Sequence, residues 1–158
     1  MRTAFVLSLL LFCQTAYAEE SLCSGHEKIV FSCHVGRKII SLCKAQKAPQ
    51  DLTYRYGTPG HLELTYPDRN ISEPGKFYTS SNPLFGGEAT SLAFRRGIYE
   101  YSIYSKIGRM DSDTDQENRI PLFEDGLVIS KNGKQLKQQV CDDGGEGFRE
   151  DIRWLPNE

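Results

Sequence analysis

The sequence predicts an all-β protein that is stapled by disulfide bonds. Short runs of alternating apolar and polar residues, separated by Gly, Pro and Asn, are typical of half-buried strands. No segment keeps a helical period over three turns before a Gly, a Pro or a strand-type run interrupts it. We therefore expect a meander of about eight antiparallel strands, arranged in hairpins and built as a small barrel or a sandwich.

The first 18 residues have the pattern of a secretory signal peptide. Arg2 gives a positive start, residues 4–12 are apolar, and small residues precede a cleavage point after Ala18. The apolar run is much shorter than the ~20 residues that a membrane-spanning helix needs. We expect residues 19–158 to form a single β domain in the periplasm or outside the cell, without a membrane span.

Eight runs are predicted to be strands. The turn at Lys131-Asn132-Gly133-Lys134 carries the strongest hairpin signal, because both central residues of an Asn-Gly turn need a positive φ. Two segments, 67–90 and 107–126, are predicted to be irregular because they break the alternation. The predicted strands are residues 29–33, 38–43, 52–56, 62–66, 91–95, 98–104, 127–130 and 135–141.

Removal of the leader leaves an even set of four cysteines: Cys23, Cys33, Cys43 and Cys141. Two disulfide bonds are expected in an exported chain, whereas the wide spacing of the cysteines disfavours a zinc site. A hairpin between residues 29–35 and 38–43 would separate Cys33 from Cys43 by more than ~13 Å, which is too far for a disulfide. Of the two remaining arrangements, the one that joins Cys23 to Cys33 and Cys43 to Cys141 is preferred.

Charge and motifs exclude several functions. The mature chain has 18 Lys and Arg (19 less Arg2) against 21 Asp and Glu, so no excess of basic residues favours nucleic acid as a partner. No Gly-x-Ser-x-Gly motif accompanies His26, His34 or His61, and we assign no catalytic residue and no cofactor. The alternative is a small secreted hydrolase or a metal-dependent enzyme that uses His61 or the cluster from Asp111 to Glu117.

That acidic cluster begins like a calcium loop. Asp111, Asp113 and Asp115 occupy the first three ligand positions, but Gln116 replaces the turn glycine and Leu122 replaces the bidentate carboxylate. We therefore expect no resident metal, with weak Ca²⁺ binding by the three aspartates as the alternative.

A candidate binding surface is predicted around Arg95, Arg96, Tyr99 and Tyr104. Tyrosine and arginine are enriched at protein interfaces. Two of these residues precede one tight turn, and the other two lie in the strand after it. The ring of Tyr104 is expected to be exposed, because Tyr104 shares a strand face with the polar residues Glu100 and Ser102.

Four runs of the sequence resemble a group of small uncharacterised exported proteins of Gram-negative bacteria: "FSCHVGRKIISLC", "LTYRYGTPGHLELTYP", "GIYEYSIYSKIG" and "LVISKNGK". In architecture the chain is also loosely similar to the periplasmic lysozyme inhibitors, although their Ser-Gly-x-x-Tyr loop motif is absent. The name of that uncharacterised group implies no activity. A stapled β scaffold with two long loops and no catalytic constellation instead predicts a non-enzymatic periplasmic binding protein, either an inhibitor of a cell-envelope hydrolase or an immunity-type protein against a delivered toxin. Its partner would be another periplasmic or envelope protein.

Overall fold

Nine antiparallel strands form two sheets in the computed structural model, which describes residues 21–48, 51–68, 75–110, 120–144 and 146–157. Each sheet is a meander in which neighbours in sequence are neighbours in space. The first sheet contains β1 (Glu27–Val35), β2 (Lys38–Ala45), β3 (Leu52–Thr58) and β4 (His61–Tyr66). The second contains β5 (Phe77–Leu84), β6 (Gly87–Arg96), β7 (Tyr99–Met110), β8 (Ile120–Lys131) and β9 (Lys134–Val140).

The all-β prediction is confirmed, and of its two variants the sandwich is correct, because neither sheet closes into a barrel. Asn132 and Gly133 both have a positive φ, of 49° and 76°, as the hairpin between β8 and β9 requires. No helix that could cross a bilayer occurs in the described ranges. The predicted leader, residues 1–18, lies outside them.

The ninth strand, β5, lies inside the segment that was predicted to be irregular. Its sequence, FYTSSNPL, has few apolar residues, but Phe77 and Thr79 alternate towards the core and are buried. Pro83 fits because β5 is an edge strand, where a missing backbone donor does not interrupt a ladder. The polar composition of β5 is therefore the reason that this edge strand was not predicted.

The two sheets enclose one aromatic and aliphatic core. The ring of Phe94 is stacked between those of Tyr66 and Tyr101, with centroid distances of 4.2 and 5.0 Å. Tyr54 packs against Phe94 at 4.9 Å, and Leu42 is fully buried beside them in the same core. Each such side chain contributes roughly 1.5–3 kcal/mol by leaving water, so this core fixes the relation of the sheets.

The C-terminal segment, residues 141–157, connects the two sheets along one side. The amide of Arg149 donates to the carbonyl of Val30 in β1 at 2.9 Å, and the amide of Thr79 in β5 donates to the carbonyl of Pro156 at 2.8 Å. Ile152 enters the core between these points. The segment thus covers parts of the outer edges of β1 and β5.

The predicted disulfide pairing is wrong. The bonds join Cys23 to Cys43 and Cys33 to Cys141. Cys33 follows Phe31 on the core face of β1 and meets Cys141 there, whereas Cys43 follows the core residue Leu42 and so points to the opposite face. The separation of Cys33 from Cys43 was correctly predicted, but the face of each cysteine decides the partner.

Candidate functional site

The turn between β6 and β7 presents two large apolar side chains to solvent. Gly97 has a φ of 62°, which permits the tight reversal, and Ile98 and Tyr99 next to it are 54% and 37% exposed. The amide of Asn132 donates to the carbonyl of Ile98 at 3.0 Å and ties this turn to the neighbouring hairpin. The exposed pair is therefore held on a fixed support.

Basic residues lie beside Tyr99 on the same face of the sheet. In register, Arg96 is opposite Tyr99, Tyr99 is opposite Lys131, and Lys131 is opposite Lys134, so the four side chains form one row across β6 to β9. The ammonium of Lys131 lies 5.7 Å from the centroid of the Tyr99 ring. We call this row together with Ile98 the basic turn face.

The two arginines of the predicted surface point to opposite sides of the sheet. Arg96 reaches Asp68 with one nitrogen at 3.1 and 3.3 Å from the two carboxylate oxygens. Arg95 instead donates to Glu100 at 3.0 Å and lies 5.0 Å from the Tyr78 ring centroid. The structure therefore groups Arg96 with Tyr99 and separates Arg95 from them.

The expectation that Tyr104 is exposed is wrong, although the predicted face is correct. Its hydroxyl donates to Glu124 at 3.0 Å and accepts from Gln138 at 2.9 Å, and the ammonium of Lys106 lies 4.8 Å from its ring centroid. These side chains leave Tyr104 only 7% exposed, and burial raises the pKa of its hydroxyl. Gly126 lies directly opposite and leaves room for the ring. Tyr104 is part of the scaffold.

An open groove of about 680 Å³ begins at the basic turn face and follows β4. Arg96 and Asp68 line one end, and Gly60 lines the other. Consecutive residues of β4, 62–65, line it between those ends, as does Leu22. Because consecutive strand residues point to opposite faces, the groove lies around the edge of β4.

The N-terminal segment forms one wall of this groove. The amide of Leu22 donates to the hydroxyl of Ser41 at 2.9 Å, and the guanidinium of Arg55 donates to the carbonyl of Leu22 at 3.2 Å. Arg55 also makes a two-nitrogen ion pair with Glu27, at 2.6 and 2.9 Å. Burial alone would raise the pKa of Glu27, but the hydrogen bonds from Arg55 and from the Ser24 backbone outweigh it and lower that pKa.

The three histidines lie on different elements. His26 is in the turn before β1, His34 is in β1, and His61 begins β4. The Nδ1 of His34 lies 3.1 Å from a carboxylate oxygen of Asp143. The acidic cluster of Asp111, Asp113 and Asp115 lies outside the described residues.

Some of this site was accessible to sequence reasoning and some was not. Ile98 beside Gly97 is an apolar residue in a turn, a local signal that identifies an exposed side chain. The contact of Arg96 with Asp68 spans 28 residues, and the groove depends on how the N-terminal segment lies over the sheet, so neither has a local signature.

Comparisons with protein-family models, curated proteins and solved structures found no match to this chain.

Proposed function

We propose that this chain is a non-enzymatic binding protein of the periplasm or the extracellular space. It captures another envelope protein with the basic turn face and the adjoining groove. One observation carries the proposal: the exposed pair of Ile98 and Tyr99 lies beside Arg96 and Lys131 at the mouth of an open groove.

This arrangement has the composition of an interface centre. Tyrosine and arginine dominate the energetics of protein interfaces, and apolar contacts that exclude water around them increase their contribution. The turn is supported by the hydrogen bond between Asn132 and Ile98 and by the core below it, so binding would order little chain.

The two disulfides are consistent with an oxidising compartment, because disulfide bonds persist there. The leader-like residues 1–18 support export. Within this setting we propose two finer roles: inhibition of a cell-envelope hydrolase, or neutralisation of a delivered toxin.

Affinity capture from an extract of envelope proteins tests the proposal. The double variant R96Q/Y99A should weaken capture of the partner by at least about thirtyfold, since truncated hot spots typically cost about 2 kcal/mol or more. Circular dichroism should show an unchanged fold, because both side chains are partly exposed.

The matched control replaces His26, His34 and His61 by glutamine and should retain capture, because binding requires no proton transfer. Loss of function in this triple variant, with full function in R96Q/Y99A and both proteins folded, would refute the proposal. It would favour the alternative, a hydrolase or a metal-dependent enzyme.

A further inference from the structure

The two sheets have four outer edges, and three of them are protected against pairing with another strand. Residues 141–157 bond to β1 at Val30 and His34 and to β5 at Thr79, and Pro83 lies in the remaining part of the β5 edge. The β9 edge carries Lys134 and Lys137 along its seven residues, and such charges oppose strand addition. The remaining edge belongs to β4.

In the described part of the chain, no strand pairs with the second edge of β4. Its sequence, HLELTY, contains one acidic residue, Glu63, which pairs with Lys38 at 2.7 Å, and contains no proline. The groove follows this edge from Gly60 to Arg96 and is lined there by residues 62–65. An exposed edge of this kind offers backbone donors and acceptors to an extended segment.

The charges at one end of the groove define the chemistry of that segment. The groove opens at Arg96 onto the row that includes Lys131 and Lys134. Arg96 is already paired with Asp68 there. A segment that lies along β4 and continues over this row therefore passes that ion pair and meets Lys131, Lys134 and the Tyr99 ring. Carboxylates at that end of the segment would complement them.

We infer that β4 accepts an extended segment of the partner protein as a fifth strand, with acidic residues of that segment placed against the basic turn face. The inference rests on the proposed function and adds the chemistry of the partner. Backbone hydrogen bonds along β4 supply affinity, and the acidic end selects the segment.

A second copy of this chain is a poorer occupant of the groove. Antiparallel pairing of β4 with its own copy would place each basic turn face against the opposite end of the other β4. That end consists of Pro59, Gly60 and His61, which carry no carboxylate. Self-pairing would therefore bring no carboxylate to Lys131 and Lys134.

Synthetic peptides test the inference with the intact mature protein. The probes carry the strand segment Thr-Val-Thr-Val-Thr-Val with an Asp-Glu-Asp block at either its amino or its carboxyl end. One control replaces the block by Asn-Gln-Asn, and a second carries N-methyl groups on alternate amides. We expect fluorescence anisotropy to show binding of an acidic peptide, with about two- to fivefold weaker binding for each exposed ion pair removed. Methylation of alternate amides removes every donor from one edge of the peptide, so a peptide that is methylated on the edge facing β4 should not bind.

Amide hydrogen exchange locates the bound peptide. The acidic peptide should slow exchange in β4 and leave β9 unchanged, and R96Q should weaken the effect. The control R153Q should not, because Arg153 is on the C-terminal segment with its side chain 87% exposed. Four results would each overturn the inference: protection of β9 instead of β4, equal binding of the N-methylated peptides, no binding of either acidic peptide, or a stable dimer formed through β4. The proposed function would survive those results if capture still depended on Arg96 and Tyr99, so the two failures are distinguishable.

Discussion

Removing the two disulfides one at a time should destabilise the protein by unequal amounts. The bond between Cys23 and Cys43 closes a sequence separation of 20, and the bond between Cys33 and Cys141 closes one of 108. In the chain-entropy treatment these loops correspond to about 3.3 and about 4.8 kcal/mol at 25 °C. The variant C33A/C141A should therefore be less stable than C23A/C43A by about 1.5 kcal/mol.

The two variants are well matched. Cys33, Cys43 and Cys141 are buried and Cys23 is partly buried, so the voids left by the two pairs of alanines differ only at Cys23. At about 2.1 cal/mol/K of unfolding entropy per residue, the mature chain should show a difference in Tm of about 5 °C. Guanidinium denaturation followed by the fluorescence of Trp154, the single tryptophan, measures the free energies directly.

A different order would refute the reasoning. If C23A/C43A were equally or less stable than C33A/C141A, the closed-loop entropy would not control these bonds. The attachment of the N-terminal segment by Cys23 would then be the larger contribution.

Three further perturbations test the scaffold. The hydroxyl of Tyr54 is buried without a hydrogen-bond partner among the described residues, so Tyr54→Phe should stabilise the protein by about 1 kcal/mol in denaturant titrations, and a loss of stability would contradict this. The pKa of Glu27 is lower in the folded protein than in the unfolded chain, where it is about 4.3. The ion pair with Arg55 therefore stabilises the fold fully above about pH 4.3, and this stabilisation is lost as pH falls through the pKa of Glu27 in the folded protein. The stability gap between wild type and Glu27→Gln should therefore close in melts below about pH 4, and a gap independent of pH would contradict the assignment. An added Cβ at Gly126 would meet the backbone carbonyl oxygen of Gln139 and would lie 2.7 Å from the Tyr104 hydroxyl. Gly126→Ala should therefore cost about 1–3 kcal/mol by crowding, and an unchanged Tm would contradict the close approach of β9 and Tyr104 to Gly126.

The strands that sequence reasoning found are those in which alternation is strong. β1, β2 and β7 combine apolar alternation with glycine-containing turns, and the Asn-Gly hairpin has the predicted positive φ values. β5 was missed because an edge strand with few buried residues needs little apolar sequence. β5 pairs with β6 along its whole length, and the C-terminal segment, which has no strand pattern and comes from far along the chain, bonds to its outer edge at Thr79.

The candidate site was predicted less completely, for a related reason. Arg96 and Tyr99 were found because both flank one turn. Tyr104 was placed on the correct face, but the long side chains of Lys106, Glu124 and Gln138 cover its ring. The face on which a strand residue lies follows from the alternation of side chains along the strand, whereas its exposure depends on neighbours from other strands.

Site-specific photocrosslinking in the source organism tests the binding surface most directly. A photoreactive phenylalanine at position 98, where Ile98 is 54% exposed, should yield a covalent adduct with a single partner protein. The same group at position 136, where Leu136 of β9 is 55% exposed, should yield none, and R96Q should abolish the adduct formed from position 98. Equal adducts from both positions, or an adduct from position 136 alone, would contradict capture through the basic turn face.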